Sequence, residues 1–239
     1  MGKLVSRWKN SLLARFRAAY IGRTARKVKQ DGLSYLTEDK IRRLERCASQ
    51  CLRLKDGGAV EYGVALGGSA IILAEKAVQA GRTFHGYDVF GMIPAPSSPN
   101  DDETSWARYE VIASGASKGI KGATYYGYVD DLYGEVCKSF QRYGFPVGAA
   151  GIHLHKGLFE DTADAYTGPI SVAHIDCDWY DPVRFSLNAV HSRLLAGGAI
   201  ILDDYYAYGG CKLAVDEFLK ENLEYVLDDG PNVILWRRA

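Results

Sequence analysis

The chain has 239 residues, of which 47% are hydrophobic and 24% are charged, with a formal net charge of zero. This length and composition fit one large domain with a sizeable core, and they exclude a disordered chain or a small disulfide-stapled scaffold. No run approaches the roughly 18 consecutive apolar residues of a membrane span. The five cysteines are odd in number and irregularly spaced, which predicts buried thiols in a reducing compartment. We therefore expect a cytoplasmic protein.

The first 30 residues form a basic segment. They contain nine Lys or Arg and no Asp or Glu, so residues 31–239 carry 20 basic against 29 acidic side chains. Bulky apolar residues recur at every fourth position, as in an amphipathic helix: Leu4, Trp8, Leu12, Phe16 and Tyr20. Such a helix could lie peripherally on an anionic membrane, or pack on its own domain or on a second subunit of a homodimer. We treat residues 1–34 as a helical extension of a domain that covers 35–239.

The elements that follow alternate along the chain. A helix is predicted from 37 to 54, and Thr37 is placed to cap it. Short apolar runs then predict strands at 59–66, 83–89, 152–155, 170–175 and 199–202, with helices at 70–80, 183–195 and 211–222. This alternation is typical of βαβ units and of a parallel sheet covered on both faces. Two last runs, 225–227 and 233–236, flank a short polar connection and predict an antiparallel hairpin. The expected fold is α/β and doubly wound, with a mostly parallel sheet of seven strands.

Residues 91–145 interrupt this alternation. They begin with a stretch rich in Pro, Ser, Asn and Asp, and a helical pattern follows at about 105–113. Insertions of this size beside a binding cleft are commonly lids. A plain surface loop is the alternative, and we expect the segment to cover the acceptor site if it is a lid.

Glycines and an acid follow the first two predicted strands. In a doubly wound sheet, ligands bind outside the carboxyl ends of the strands. Gly67, Gly68 and Ser69 lead from the first strand into a helix, where free backbone amides favour anionic groups. Asp88 ends the second strand and is placed to accept hydrogen bonds from ribose hydroxyls. Together these features predict a cofactor that contains a nucleoside.

Acidic residues follow two later strands. The strand at 170–175 runs into Asp176 and Asp178, and the strand at 199–202 runs into Asp203 and Asp204. Residues two apart on an extended chain point to one side, so these carboxylates are expected to converge. Their charges repel unless protons or a cation intervene. Hard oxygen ligands favour Mg²⁺, Mn²⁺ or Ca²⁺ over zinc, and the sequence therefore predicts a divalent metal site.

Six blocks of sequence, in this order, resemble the macrocin O-methyltransferase family. The blocks are VEYGVALGGSA (60–70), YDVFGMIP (87–94), KGLFEDT (156–162), HIDCDWY (174–180), LDDY (202–205) and GCKLAVD (210–216). They cover roughly residues 35–239 and leave out the basic segment. The chain departs from the family at Cys177, where a small residue such as Gly is usual, and at Gly91, where an acid is usual. These differences leave the expected metal site intact and put the acceptor specificity in doubt.

The resemblance implies a class I fold and transfer of a methyl group from S-adenosylmethionine to a hydroxyl of a saccharide or glycoside, with Mg²⁺ as the metal. It implies that Asp176, Asp203 and Asp204 bind Mg²⁺ and that Asp178 is the general base. The cofactor residues that it implies are Glu61, Gly63, Gly67, Gly68, Ser69, Asp88, Gly157, Phe159, Asp161 and Asp176. No nucleic-acid partner is expected.

Two other functions remain open from the residues themselves. Asp176, Cys177 and Asp178 also form a D-x-D triplet, which in a glycosyltransferase could hold a divalent ion against a sugar nucleotide. Alternatively, the chain is not an enzyme but an adaptor whose basic segment docks on a membrane while the sheet domain only binds a ligand. Binding of S-adenosylmethionine separates the methyltransferase from the first alternative, and methyl transfer separates it from the second.

Overall fold

Seven strands form a single sheet in the computed structural model, which describes residues 20–54 and 56–239. The strands are β1 (Gly58–Tyr62), β2 (Phe84–Asp88), β3 (Ile152–Lys156), β4 (Ile170–Ile175), β5 (Leu194–Leu202), β6 (Tyr225–Asp228) and β7 (Val233–Arg237). Their order across the sheet is β3-β2-β1-β4-β5-β7-β6. Strands β1 to β5 are parallel, whereas β7 is antiparallel to both β5 and β6. The predicted doubly wound sheet with an antiparallel hairpin at its end is confirmed.

Eight α-helices accompany the sheet in the described part of the chain. They are α1 (Arg23–Gln30), α2 (Glu38–Cys51), α3 (Gly68–Gln79), α4 (Glu103–Ala113), α5 (Leu132–Arg142), α6 (Phe159–Thr162), α7 (Tyr180–His191) and α8 (Gly209–Glu221). Three short 3₁₀ turns lie at Ile120–Gly122, Tyr126–Tyr128 and Ala163–Ala165. The Thr37 hydroxyl accepts a hydrogen bond from the amide of Lys40, so the predicted cap of α2 is confirmed.

The helices cover both faces of the sheet. Neighbouring residues of a strand point to opposite faces, and in β1 the side chains of Ala59 and Val60 accordingly enter two different hydrophobic clusters. Helices α1, α2, α3 and α5 contribute to the first cluster, and α7 and α8 contribute to the second. All five residues of β1 are buried. Burial on both faces explains why β1 and β4 are mostly apolar in sequence, whereas β3, at the edge of the sheet, is partly exposed and contains two His and a Lys.

Some element boundaries differ from the prediction. The first strand was expected to run to Leu66 but ends at Tyr62, because Gly63 and Ala65 take positive φ angles of 91° and 46°. The strand expected to begin at Ala199 begins at Leu194, within the range assigned to the preceding helix. A short apolar run fits a buried strand and a helix equally well, and here tertiary pairing with β4 and β7 favours the strand.

The basic segment is only partly within the described residues. Its last part forms α1, and Tyr20 before it is exposed. The helical prediction for residues 1–19 lies outside the described residues. None of the helices described here is both long and apolar enough to cross a membrane. All five cysteines are unpaired thiols, and four are buried, as the sequence predicted.

Candidate active site

A cavity of about 710 Å³ opens at the carboxyl ends of β1, β4 and β5. This is where a doubly wound sheet binds ligands, because the loops after β1 and β4 separate in opposite directions there. The floor of the cavity includes Gly63, Asp88 and Asp176. Arg108 and Tyr125 from the segment 91–145 also line the cavity. The insertion therefore contributes to the wall of the cleft, and its role as a lid stays a prediction.

Three of the predicted carboxylates meet at one point of the cavity. Asp176 follows β4, and Asp203 and Asp204 follow β5; the two strands are paired so that Ile175 lies beside Leu202. One oxygen from each carboxylate lies within 4.8 Å of the others. Asp203 Oδ1 is buried and has no hydrogen-bond partner. The cluster thus offers converging oxygen ligands of the kind that Mg²⁺ prefers.

The electrostatics of the cluster require a compensating charge. Burial, and then the charges of Asp204 and Asp203, raise the pKa of Asp176 well above its usual range. Burial and the charge of Asp203 raise the pKa of Asp204 to about 6. Like charges in a low-dielectric pocket disfavour ionisation of their neighbours, so the apo site attracts either protons or a cation.

Asp178 lies beside this group but outside the three-oxygen cluster. Its φ of 60° is in the left-handed region, which is uncommon for a residue with a side chain. Its amide donates to Asp204 Oδ2 at 3.3 Å. Burial and the charge of Asp204 raise the pKa of Asp178 well above its usual range, whereas the positive charge of Arg108 opposes that increase. Asp178 therefore faces the same cavity with a carboxyl group of increased basicity.

Lys40 is a site residue that the sequence reasoning missed. Its Nζ lies 2.8 Å from Oδ2 of Asp203 and 3.0 Å from the carbonyl oxygen of Asp203. Burial lowers the pKa of Lys40, but the Asp203 carboxylate outweighs burial and raises it overall. The contact joins residues 163 apart in the chain, and no local pattern in the sequence signals it. Lys40 holds one carboxylate of the cluster in place.

Gly63 permits a close approach of the loops after β1 and β4. A Cβ atom at Gly63 would lie 1.9 Å from the carbonyl oxygen of Asp176, and the φ of Gly63 is 91°. At Gly68 the space for a Cβ atom is filled by the carbonyl oxygen of Leu33, 2.3 Å away. In the structure, the space beside these two glycines is therefore occupied by the protein's own backbone, and their predicted contact with the cofactor stays a prediction.

Asp88 binds the backbone of the two loops that border the cavity. Its Oδ2 accepts hydrogen bonds from the amides of Val64 at 2.7 Å and Ala65 at 2.8 Å, and its Oδ1 accepts one from Phe90 at 2.6 Å. A carboxylate has about four acceptor positions, so one remains on Oδ1. Burial raises the pKa of Asp88, whereas these amides lower it. Its predicted contact with a ribose stays a prediction.

Glu61 lies below the cavity and is fully buried. Its Oε1 is 2.7 Å from Nδ1 of His174, which is also fully buried. Burial raises the pKa of Glu61. Burial lowers the pKa of His174, but the bond to Glu61 outweighs it and raises the pKa overall. The pair links β1 to β4 directly beneath Gly63 and Asp176.

The other predicted cofactor residues divide into two groups. Phe159 lines the cavity together with its neighbours Leu158 and Glu160. Four residues are not among those that line it: Gly67, Ser69, Gly157 and Asp161. Of the ten predicted positions, the structure thus brings Gly63, Asp88, Phe159 and Asp176 to the cavity surface. The roles of all ten remain predictions.

The segment 91–145 is anchored beside the carboxylates by two consecutive acids. Asp101 accepts a hydrogen bond from the first amide of α7 at 2.8 Å. Asp102 accepts one from Ser105 at the start of α4 and another from Gly209 at the start of α8, both at 3.0 Å. The Trp179 indole also donates to the carbonyl oxygen of Pro94. These contacts hold the insertion against the loop that carries Asp178.

The sheet order and the position of the cleft define a Rossmann-like fold of the doubly wound class. A sequence profile of the macrocin O-methyltransferase (TylF) family matches residues 4–226. The chain belongs to the macrocin O-methyltransferase family. The match begins at residue 4 of this chain. It therefore includes most of the basic segment, which lies outside the six sequence blocks that resemble the family.

One characterised relative is an 8-demethyl-8-(2,3-dimethoxy-alpha-L-rhamnosyl)-tetracenomycin-C 4'-O-methyltransferase of Streptomyces olivaceus. It is 34% identical over 85 residues, which are 35% of this chain. The match spans 31% of the relative, about a third of its length.

Solved structures share the fold at low sequence identity. The O-methyltransferase NovP is 22% identical, with a TM-score of 0.65 over 82% of this chain and 78% of that one. The SAH-bound methyltransferase PaMTH1 of Podospora anserina is 15% identical, with a TM-score of 0.59 over 98% of this chain and 96% of that one. These similarities confirm the predicted fold class.

Proposed function

We propose that the protein transfers a methyl group from S-adenosylmethionine to a hydroxyl of a saccharide or glycoside, with Mg²⁺ bound by Asp176, Asp203 and Asp204. The observation that carries the proposal is the convergence of these three carboxylates beside a fourth, Asp178, in the cleft of a methyltransferase fold. Family membership and the sugar O-methyltransferase of Streptomyces olivaceus support the same reaction.

The carboxylate cluster fits a hard divalent cation. Its oxygens converge, Asp203 Oδ1 has no other partner, and burial together with the neighbouring carboxylates raises the pKa of Asp176 and of Asp204. Bound there, Mg²⁺ would act as a Lewis acid that stabilises developing negative charge on an acceptor oxygen. Lys40 would keep Asp203 oriented toward the cluster.

The floor of the cavity fits the cofactor. Gly63 lines the cavity where the β1 and β4 loops meet, Asp88 retains one acceptor position, and Phe159 offers an apolar edge. S-adenosylmethionine would supply a methyl group already activated by its sulfonium charge. The protein then has to hold the acceptor oxygen in line with that methyl group, and orientation of this kind can contribute roughly 7 to 11 kcal/mol.

Asp178 would act as the general base. A neutral hydroxyl is a poor nucleophile, so a carboxylate that takes its proton as the bond forms contributes typically about 10² to 10⁴ in rate. The pKa of Asp178 is raised by burial and by Asp204, which makes its carboxylate a stronger base than an ordinary one.

The acceptor would lie under the insertion 91–145, which we infer to be a lid. Aromatic rings surround this part of the cavity: Tyr35, Tyr125, Tyr126, Trp179 and Tyr208. Flat apolar faces with polar edges suit the mixed surface of a sugar ring. The buried unpaired thiols support a reducing, cytoplasmic compartment.

The variant Asp178→Asn tests this proposal. We expect it to bind S-adenosylmethionine and Mg²⁺ as the wild type does in calorimetry, and to lose about 10² to 10⁴ in turnover of glycosides with vicinal hydroxyls. Asp181→Asn is the matched control, because Asp181 also lines the cavity but is exposed and bonds to Ser97. Normal turnover of Asp178→Asn would remove Asp178 as the base.

A second measurement tests the metal and the cofactor. Asp203→Ala with Asp204→Ala should bind S-adenosylmethionine but fail to methylate, as should the chelated wild type. Absence of cofactor binding under every condition would refute the methyltransferase and favour the D-x-D glycosyltransferase instead.

A further inference from the structure

A second cavity, of about 730 Å³, lies away from the active site and is strongly basic. It lies between α1 and the end of α5 and shares no lining residue with the catalytic cavity. Four cations line it: Arg23, Arg26, Lys27 and Arg142. All four are exposed. We call this surface the basic groove.

The charge of the basic groove is not neutralised within the protein. None of its four cations forms a salt bridge with a described residue. The residues outside the description, 1–19 and Lys55, contain no Asp or Glu. Glu75 is the one acid in the lining, and it accepts a hydrogen bond from Thr24 at 2.6 Å and contacts Lys76 at 3.4 Å. The groove therefore presents an uncompensated positive surface to a partner.

This surface contrasts with the rest of the protein. Residues 20–239 carry 24 basic and 29 acidic side chains, whereas residues 1–19, which lead into α1, carry five basic side chains and no acid. Apart from the four groove cations, residues 20–239 carry 20 basic and 29 acidic side chains, so the groove is a basic patch on an otherwise acidic body. An extended negative surface would repel this body and attract the groove, so it would bind the protein in one orientation.

We propose that the basic groove docks the protein on an anionic phospholipid bilayer. The 19 residues that precede the described chain carry Leu4, Trp8, Leu12 and Phe16 between their cations, and stable peripheral binding needs apolar insertion as well as basic charge. Each Lys or Arg held near an anionic bilayer strengthens binding about fivefold. A free phosphate or a soluble polyanion would bind the cations but would leave these apolar residues without a partner, so we favour the bilayer.

The aromatic residue of the groove argues against a single-stranded nucleic acid as the occupant. Single-stranded RNA needs open aromatic faces on which its bases stack. The ring of Tyr143 is covered by Lys27, whose Nζ lies 4.6 Å from the ring centre, and its hydroxyl donates to Asp31. The groove offers cations without a stacking surface.

Helix α1, which carries three of the four groove cations, also contacts one wall of the active site. Lys29 of α1 donates from Nζ to the carbonyl oxygen of Leu36 at 2.7 Å and to that of Ser34 at 3.3 Å. Leu36 lines the catalytic cavity. Helix α1 therefore holds the segment 34–36 in place. This docking is independent of the reaction proposed above.

Co-sedimentation of the full chain with vesicles tests the proposal. We expect binding to vesicles of phosphatidylglycerol and phosphatidylcholine, little binding to phosphatidylcholine alone, and weaker binding as salt increases. The triple variant Arg23→Gln, Arg26→Gln, Arg142→Gln should bind about 100-fold more weakly. A matched triple variant at Arg53, Lys220 and Arg238, which are exposed and outside the groove, should bind as the wild type does.

Several outcomes would overturn the proposal. One is equal loss of binding in the two triple variants, since net charge alone would then suffice. A second is unchanged binding of the groove variant. A third is displacement of the protein from vesicles by equimolar phosphate groups of poly-uridine, which would indicate a polyanion site. A fourth is a wild-type dimer that the groove variant converts to a monomer in light scattering, which would assign the groove to a second copy. Unchanged melting temperatures of both variants establish that they fold.

Discussion

Gly63 lies where the loop after β1 passes the backbone of Asp176, and replacing it by Ala tests how the metal site is built. The new Cβ atom would lie 1.9 Å from the carbonyl oxygen of Asp176. Real Cβ atoms do not come closer than about 3.0 Å, so the two loops must separate by about 1 Å. Overpacking of this kind costs about 1–3 kcal/mol, and the positive φ of 91° adds about 1–2 kcal/mol for a residue with a side chain.

Gly81→Ala is the matched control. Gly81 has a φ of 67°, but a Cβ atom there would meet nothing within 4 Å. The Gly81→Ala variant therefore bears the cost of the positive φ angle, about 1–2 kcal/mol, but no steric overlap of its Cβ atom. At 2–4 °C per kcal/mol, we expect a decrease in melting temperature of about 2–8 °C for Gly81→Ala and of about 4–20 °C for Gly63→Ala. The difference between these two decreases in melting temperature measures the cost of the overlap between the Cβ atom and the Asp176 carbonyl oxygen.

The second readout is metal binding. A shift of the Asp176 backbone displaces one of the three oxygens, and changes in the support of metal ligands typically cost about 10–100-fold in affinity. We expect Gly63→Ala to show this loss of Mg²⁺ affinity in calorimetry and Gly81→Ala to show none. The reasoning is refuted if the two variants melt together and bind Mg²⁺ equally.

Two further predictions concern protons and the lid. Burial and the charge of Asp203 raise the pKa of Asp204 to about 6, above an unfolded value near 4. Between these values the folded apo protein binds more protons than the unfolded chain, so apo stability falls as pH rises. Mg²⁺ replaces the protons when it binds. The increase in melting temperature on adding Mg²⁺ should therefore be larger at pH 7.5 than at pH 5. An increase that is the same at both pH values would contradict this linkage between Mg²⁺ and protons. Asp102→Ala removes the cap of α4 and a hydrogen bond to α8. This loss should lower the free energy of unfolding by about 1–2 kcal/mol and raise KM for the acceptor. Asp102→Asn keeps an acceptor oxygen, so it should retain most of the stability and most of the acceptor affinity. Equal KM values in the two variants would show that this anchor does not position the lid.

The acidic positions around the cavity were largely evident in the sequence. Apolar runs that end in Asp88, in Asp176 or in Asp203 and Asp204 predict acids at one edge of a parallel sheet, because all strands of such a sheet end on the same side. The same periodicity predicted the hairpin at the end of the sheet. Local order along the chain determines these features, so no tertiary information was needed for them.

Tertiary structure decided which neighbours those residues have. Lys40 contacts Asp203 across 163 residues, and Arg108 and Tyr125 reach the cavity from an insertion whose sequence does not indicate which of its residues face the cleft. The Gly63 position is needed because of a carbonyl oxygen on another loop. Contacts of this kind depend on how packed elements approach one another, and neither hydrophobic period nor turn chemistry encodes that approach.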